Sequence, residues 1–189
     1  SVELIFWSRE WIEEQIERPL ARHQAWMGYT TSFWYTIWNS QALYDRDGWF
    51  ARLKQRAESP YPEPLRRAIV AQNYPVLREV KSSYRQQIEL AILRRDRISI
   101  NHRITALLAS YFDILFAVNR VPNPGEKRLI VQVKRLCTRL PEGWETQIEM
   151  LLCAIGEEWE QQRTLDHVDA LLDSLDELLR AEGLISSAG

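Results

Sequence analysis

"SINHRITALLASYFDILFAVN", residues 99–119, is the stretch on which the fold turns. It contains neither glycine nor proline, is too long for a strand, and is apolar on nearly every face, so the sequence predicts a helix over roughly Ile98–Asn119. A helix that is apolar all round has to be surrounded by others. Ser110 and Asp113 keep it short of the roughly 18 uninterrupted apolar residues of a membrane span. Asp113 is its anomaly, because a carboxylate on such a helix is costly to bury unless it is paired or hydrogen-bonded. Two explanations stand: an internal salt bridge to one of the many arginines, or a carboxylate at the edge of a pocket with a tuned pKa.

Outward from this helix, almost everything else also reads as helix. Ser8 can cap a helix running from Arg9 to about His23. An aromatic helix, "TSFWYTIWNSQALYD", is closed by Asp45–Gly48, and another covers Trp49–Glu58. Pro64 sits early in a helix to about Tyr74, and Pro75 opens one that runs to about Arg95. Beyond the central helix, helices are expected at about Glu126–Arg139, Trp144–Arg163 and Leu165–Ala181, with Gly183 as a C-cap. The exception is the start, "SVELIFWS", whose weak alternation of strand formers predicts a β-strand. A lone strand lacks hydrogen-bonding partners, so its sheet is expected in another domain. The fold expected is therefore all-α: a bundle of about eight helices (residues 9–189) with one N-terminal strand (residues 1–8) left over from an upstream sheet. The chain reads as a fragment.

Composition sets limits. The chain has 189 residues, 46% of them hydrophobic, which suits one globular domain with a substantial core. No signal peptide is expected, since Arg9 and Glu10 interrupt the first apolar run, and a cytoplasmic location follows as the expectation. Cys137 and Cys153 are neither in CxxC spacing nor near a histidine in sequence, so reduced thiols are expected and no metal site. Residues 46–103 carry 13 Lys/Arg against 6 Asp/Glu, and residues 142–182 carry 2 against 12. Either one half offers anions a binding face, or the two halves face each other or water.

"NRVPNPGEKR", residues 119–128, follows the central helix and holds more than a connector needs. Pro122 and Pro124 end the helix, and Gly125 permits a backbone conformation closed to other residues. Glu126 suits a helix N-terminus, whereas Lys127 and Arg128 do not. Two cations there make sense if an anion such as a phosphate shares the space.

Here the residues carry a resemblance. "YFDILFAVNRVPNPGEKRL" resembles a stretch in the helical C-terminal region of bacterial nucleotidyltransferases of the kanamycin nucleotidyltransferase superfamily. "LYDRDGWFARL", residues 43–53, is similar to their Tyr-Asp-x-Asp-Gly turn between helices, and "VELIFWS" to the last strand of their catalytic sheet. The resemblance covers most of residues 2–136. It implies a substrate-side domain in which Asp113, Asn119, Lys127 and Arg128 bind nucleotide or acceptor, with Lys127 on phosphate. Glu3 would be the third acidic residue of the catalytic sheet. The Gly-Ser turn and Asp-x-Asp strand of that family are absent, and Asp45-Arg46-Asp47, at a helix end, reads as a turn. Magnesium and a nucleoside triphosphate are thus expected only with the full-length protein, no metal site in this chain, and no activity from it alone. Its expected partners are the upstream catalytic domain, in the same polypeptide or as a separate chain, and nucleotide. A second copy is allowed for, and neither membrane nor nucleic acid is expected.

Three other signals compete. "RISINH" matches the Arg-x4-His of helical HEPN-type ribonucleases, with Arg97 and His102 as the basic pair and His102 as general base. "RPLARH", Arg18–His23, matches equally well. The aromatic residues from Trp26 to Phe50, with Trp34 and Trp38 on one helix face, suit a core or domain interface, or else a base-stacking platform. Leu165, Val168, Leu172, Leu175 and Leu179 form the apolar stripe of a final helix with aspartates opposite, which packs on its neighbours or on a second subunit.

Overall fold

The computed structural model describes residues 4–155 and 161–186, and all the regular structure among them is helical. The segments are α1 (Arg9–Leu20), α2 (Ser32–Asn39), α3 (Trp49–Ala57), α4 (Glu63–Asn73), the four-residue α5 (Pro75–Arg78), α6 (Tyr84–Leu93), α7 (Arg97–Val118), α8 (Leu129–Leu136), α9 (Trp144–Ala154) and α10 (Gln161–Ala181). The all-α expectation holds, and α7 is the axis. Its first half buries a single stripe, Ile100, Ile104 and Leu107, but from Ser110 to Val118 every residue is buried. A segment enclosed on all sides needs apolar residues at consecutive positions, which is the pattern that stands out in the sequence.

The larger core gathers α6, α7, α9 and α10 around residues such as Ile88, Leu115, Leu151 and Leu172. A smaller one, with Ile16, Trp34, Leu53 and Ile69, holds α1–α3 against α4 and reaches α7 at Ala117. Trp34 belongs to this second core. Its Nε1 donates to the Ala57 carbonyl at 2.7 Å and its ring stacks on Tyr61. Trp38, which shares its helix face in sequence, stays 42% exposed.

Caps explain several boundaries. Ser8 Oγ accepts from the Trp11 N–H at 3.2 Å, as expected, and Asp96 caps α7 by accepting from the Ser99 N–H at 3.0 Å. Gly183 (φ +63°) closes α10, with the Leu184 N–H donating back to the Leu179 carbonyl. Other boundaries differ from expectation. The helix expected from Pro75 to about Arg95 is broken: α5 ends at Arg78, and α6 restarts behind Ser83, whose hydroxyl accepts from the Gln86 N–H. The aromatic helix stops at Asn39, six residues early, and α1 stops at Leu20, just past Pro19.

Of the expected strand, residues 1–3, Glu3 included, lie outside the described residues. Leu4–Ser8 is irregular, and Leu4 and Phe6 are 77% and 89% exposed. No strand among the described residues lies beside it to supply a ladder. No helix among them is long and apolar enough to cross a membrane. Both cysteines are free thiols, Cys137 buried and Cys153 exposed.

The two oppositely charged stretches meet. Asp169 of α10 takes a two-pronged contact from Arg85, Asp173 pairs with Arg78 at 2.6 Å, and Glu182 accepts from Arg66 at 2.5 Å. Asp176, only 5% exposed, accepts from the Tyr74 hydroxyl at 2.9 Å and from Arg78 at 2.6 Å. The aspartates opposite the leucine stripe of α10 therefore face arginines of α5 and α6 as well as solvent. The stripe itself is buried in the core.

Candidate functional site

The residues between α7 and α8 form a scaffold around one buried carboxylate. Asp113 is 1% exposed, and among the described residues no arginine reaches it. Both its oxygens accept from the Thr30 backbone N–H at 3.1 Å, and one also accepts from Asn123 Nδ2 at 2.9 Å. Burial raises its pKa to about 6, against the lowering effect of these donors. Among the described residues Asp113 makes no salt bridge; its pKa is shifted, as the second explanation expects, but its carboxylate is enclosed rather than exposed at an opening. Its carboxylate is enclosed because the chain entering α2 folds over α7, leaving backbone and amide donors where water would be.

That close approach has a visible cause. Gly28 (φ +69°) lies so near α7 that an added Cβ would come within 3.1 Å of Ala109 Cβ. Its N–H donates to Asn73 Oδ1 at 2.9 Å, and Asn73 Nδ2 donates to the Trp26 carbonyl at 2.9 Å. The 26–31 segment is thereby held between α4 and α7, and Thr30 and Thr31 are presented to the turn.

The turn is then built residue by residue. Arg120, left-handed at φ +54°, ends α7, with its own N–H donating to Ala117 and that of Val121 donating to Phe116. Helix termination therefore precedes both prolines. Asn119 is a clamp: Nδ2 donates to the carbonyls of Leu115 and Arg139, both at 2.8 Å, and Oδ1 accepts from the N–H groups of Thr138 and Arg139 at 2.9 and 2.8 Å. Asn123, fully buried between Pro122 and Pro124, donates its N–H to Thr31 Oγ1 at 2.7 Å and accepts the Gly125 N–H at 2.9 Å. Gly125, at φ +92°, turns the chain outward.

Beyond this scaffold, Glu126, Lys127 and Arg128 are exposed. The helix expected to open at Glu126 opens at Leu129, because Arg128 adopts a left-handed conformation (φ +56°) at the capping position. Among the described residues neither Lys127 nor Arg128 has a hydrogen-bond or ion-pair partner. Lys127 and Glu126 border an open cavity of about 370 Å³ with Tyr29, Thr105 and Phe112. Burial, with the charges of Glu126 and Asp113, pushes the Tyr29 hydroxyl above its usual range.

Of the four expected binding residues, then, Lys127 and Arg128 face solvent beside a cavity. Asn119 and Asp113 hold the structure that carries them. Sequence reasoning missed Thr30, Thr31 and Asn123, the partners that make Asp113 tolerable, and Tyr29 beside Lys127. One signal was available: an asparagine between two prolines, at a point where the chain has lost backbone donors and an amide side chain can replace them. Arg97 and His102 sit five residues apart near the start of α7, both exposed and about 140° apart around the helix. Arg18 of the competing pair is bound to Glu14 at 2.9 Å. Asp45 accepts from the N–H groups of Phe50 and Ala51, and Asp47 pairs with Arg9, as befits a turn before a helix. Among the described residues no three His, Cys, Asp or Glu side chains are grouped so as to hold a metal ion. No family model, curated protein or solved structure matches this chain.

Proposed function

We propose that this chain is the helical, substrate-side part of a nucleotidyltransferase-like protein. Its Gly125–Arg128 turn faces a nucleotide phosphate or the acceptor across a cleft. The catalytic half, with the acidic residues that hold magnesium, comes from upstream in the same polypeptide or from a separate chain. The observation that carries the proposal is a contrast at the turn: Asn119, Asn123 and Asp113 are engaged in fixing it, while Lys127 projects from it beside a cavity with no partner among the described residues. A rigid support under a free cation is what phosphate binding by positioning requires.

The N-terminal face also supports this proposal. Leu4, Ile5 and Phe6 are exposed and lead into a cluster in which Trp7 stacks on Trp11 and both meet the edge of Phe33. Contiguous exposed apolar residues mark a contact surface, here one for the catalytic half. The test is titration of magnesium with a nucleoside triphosphate into the protein that includes that half. Lys127→Ala is expected to weaken binding by about tenfold or more, as for loss of one charge-assisted contact, with the melting temperature unchanged. Equal affinity in the variant removes the turn from the site.

A further inference from the structure

Two open cavities adjoin beside α7 and share a wall of Leu108, Phe112 and Leu129. The one bordered by α8 and α9 (the inner cavity), about 310 Å³, is further lined by Ile130 and Val131 of α8 and Ile148 and Leu152 of α9. Among the described residues Arg128 is its only charged lining residue. The outer one, about 370 Å³, carries Lys127 and Glu126. Val131 of α8 and Leu152 of α9 both border the inner cavity and remain 58% and 47% exposed. Aliphatic side chains left in water at the border of an apolar concave space make a surface that a ligand's hydrocarbon would cover favourably.

The geometry points to a binding site for a single-chain amphiphile with an anionic head, its alkyl or acyl chain in the Leu108–Leu152 cavity and its head between Arg128 and Lys127. The volumes fall in the range of small-molecule sites, which are apolar with a few placed polar groups. The inner cavity offers nothing to pair with sugar hydroxyls or base edges, so a nucleotide does not suit it, whereas a hydrocarbon chain does. The two cations have no partner among the described residues, and Arg128 is held at the cavity edge by its left-handed backbone. Glu126 lines the outer cavity beside Lys127 and offsets part of its charge there, so Arg128 at the inner cavity makes the main head contact. The assignment stands without the transferase proposal, since Arg128 and Leu152 play no part in the latter's test.

The experiment is calorimetric titration of the chain with n-octyl phosphate below its micelle concentration, beside inorganic phosphate. Octyl phosphate is expected to bind at least about a hundredfold more tightly than phosphate, given the apolar surface its chain would bury. Leu152→Glu and Arg128→Ser are each expected to weaken it by about tenfold or more, through a charge in the chain path and loss of the head contact. Both positions are exposed, so both variants should fold, and unchanged circular dichroism checks this. Octyl phosphate binding no tighter than phosphate, or indifferent to both substitutions, overturns the assignment. So does self-association abolished by Leu152→Glu without octyl phosphate binding, which would make a second copy the occupant. Binding confined to anionic vesicles would overturn it too, in favour of a bilayer surface. Lys127-dependent nucleotide binding without octyl phosphate binding would remove this site and leave the transferase proposal standing.

Discussion

Asn123 donates its side-chain amide to Asp113 over 2.9 Å, and its backbone N–H donates to Thr31 Oγ1 over 2.7 Å. One asparagine thus joins the turn after α7, the interior of α7 and the chain entering α2. The opening to α2 closes the arrangement from the other side, because the Thr30 N–H is shared between both Asp113 oxygens. Exposed cations at residues 127 and 128 rest on this buried polar unit.

Asp113→Leu removes the acceptor and leaves the Thr30 N–H and the Asn123 amide buried without a partner. The expected loss is about 2–4 kcal/mol in urea unfolding. Asp113→Asn keeps one acceptor oxygen for both donors and should cost about 1 kcal/mol or less at neutral pH. Equal stability of the leucine variant and the parent chain would show that the carboxylate network does not hold the turn.

The raised pKa of Asp113 has a consequence of definite sign. Its folded value, about 6, lies above the ordinary carboxylate value, so the folded state binds this proton more tightly than the unfolded one. The stabilisation from this group is full below about pH 4 and is lost as pH rises through about 6. Relative to Asp113→Asn, which has no such proton, the parent chain should therefore lose between about 1 and 3 kcal/mol from pH 4 to pH 7. The quantity to measure is the difference between the two unfolding free energies at several pH values, since other groups titrate in both. A flat difference would mean that the donors offset the burial.

Asn119→Ala should separate fixing the turn from binding a ligand. Four hydrogen bonds to four backbone groups of three residues are lost, but the Thr138–Arg139 segment is exposed and water can replace them, so about 1–2 kcal/mol is expected. Amide exchange at Thr138 and Arg139 should accelerate at least about tenfold, while that of the α7 interior stays slow. Unchanged exchange at those two amides would mean that the clamp is not what orders the α8–α9 connection.

Much of the fold was legible because α7 has one dominant signal: consecutive apolar residues where a helix is enclosed and a stripe where it is not. The leucine stripe of α10 was legible for the same reason. The break between α5 and α6 was not, since Val76–Arg95 contains no glycine or proline and the stop depends on Ser83 accepting from Gln86. At the candidate site, the cations and the glycine could be read directly. The roles of Asp113 and Asn119 could not, because their partners lie 83 and 20 residues away in sequence and are mostly backbone groups. The charge asymmetry could be counted but not oriented: only the packing of α10 against α5 and α6 turns two charged stretches into ion pairs.

Helix α6 ends on a left-handed Arg95 (φ +55°), with the Asp96 N–H donating to Ala91 and that of Arg95 to Ile92. Glycine is the usual residue in this position, since a side chain there is strained. The Arg95 side chain is exposed and has no partner among the described residues. Arg95→Gly is therefore expected to raise stability by about 0.3–1 kcal/mol, the relief of strain exceeding the entropy of the more flexible unfolded chain. A loss of stability on thermal unfolding would mean that Arg95 makes a contact worth more than its strain.

Arg97 and His102 lie five residues apart on α7. A ribonuclease of the Arg-x4-His kind needs both groups at one phosphodiester, the histidine taking the 2′-hydroxyl proton and the arginine stabilising the phosphorane. Five residues along an α-helix place them about 140° apart, so they point to different sides of α7 within one chain. The chain is accordingly expected to leave a labelled single-stranded RNA intact over hours, and His102→Ala to leave the electrophoretic pattern unchanged. Cleavage that disappears in His102→Ala would require two α7 helices to pool their basic residues across a dimer, and would replace the transferase proposal with a nuclease assembled from two copies.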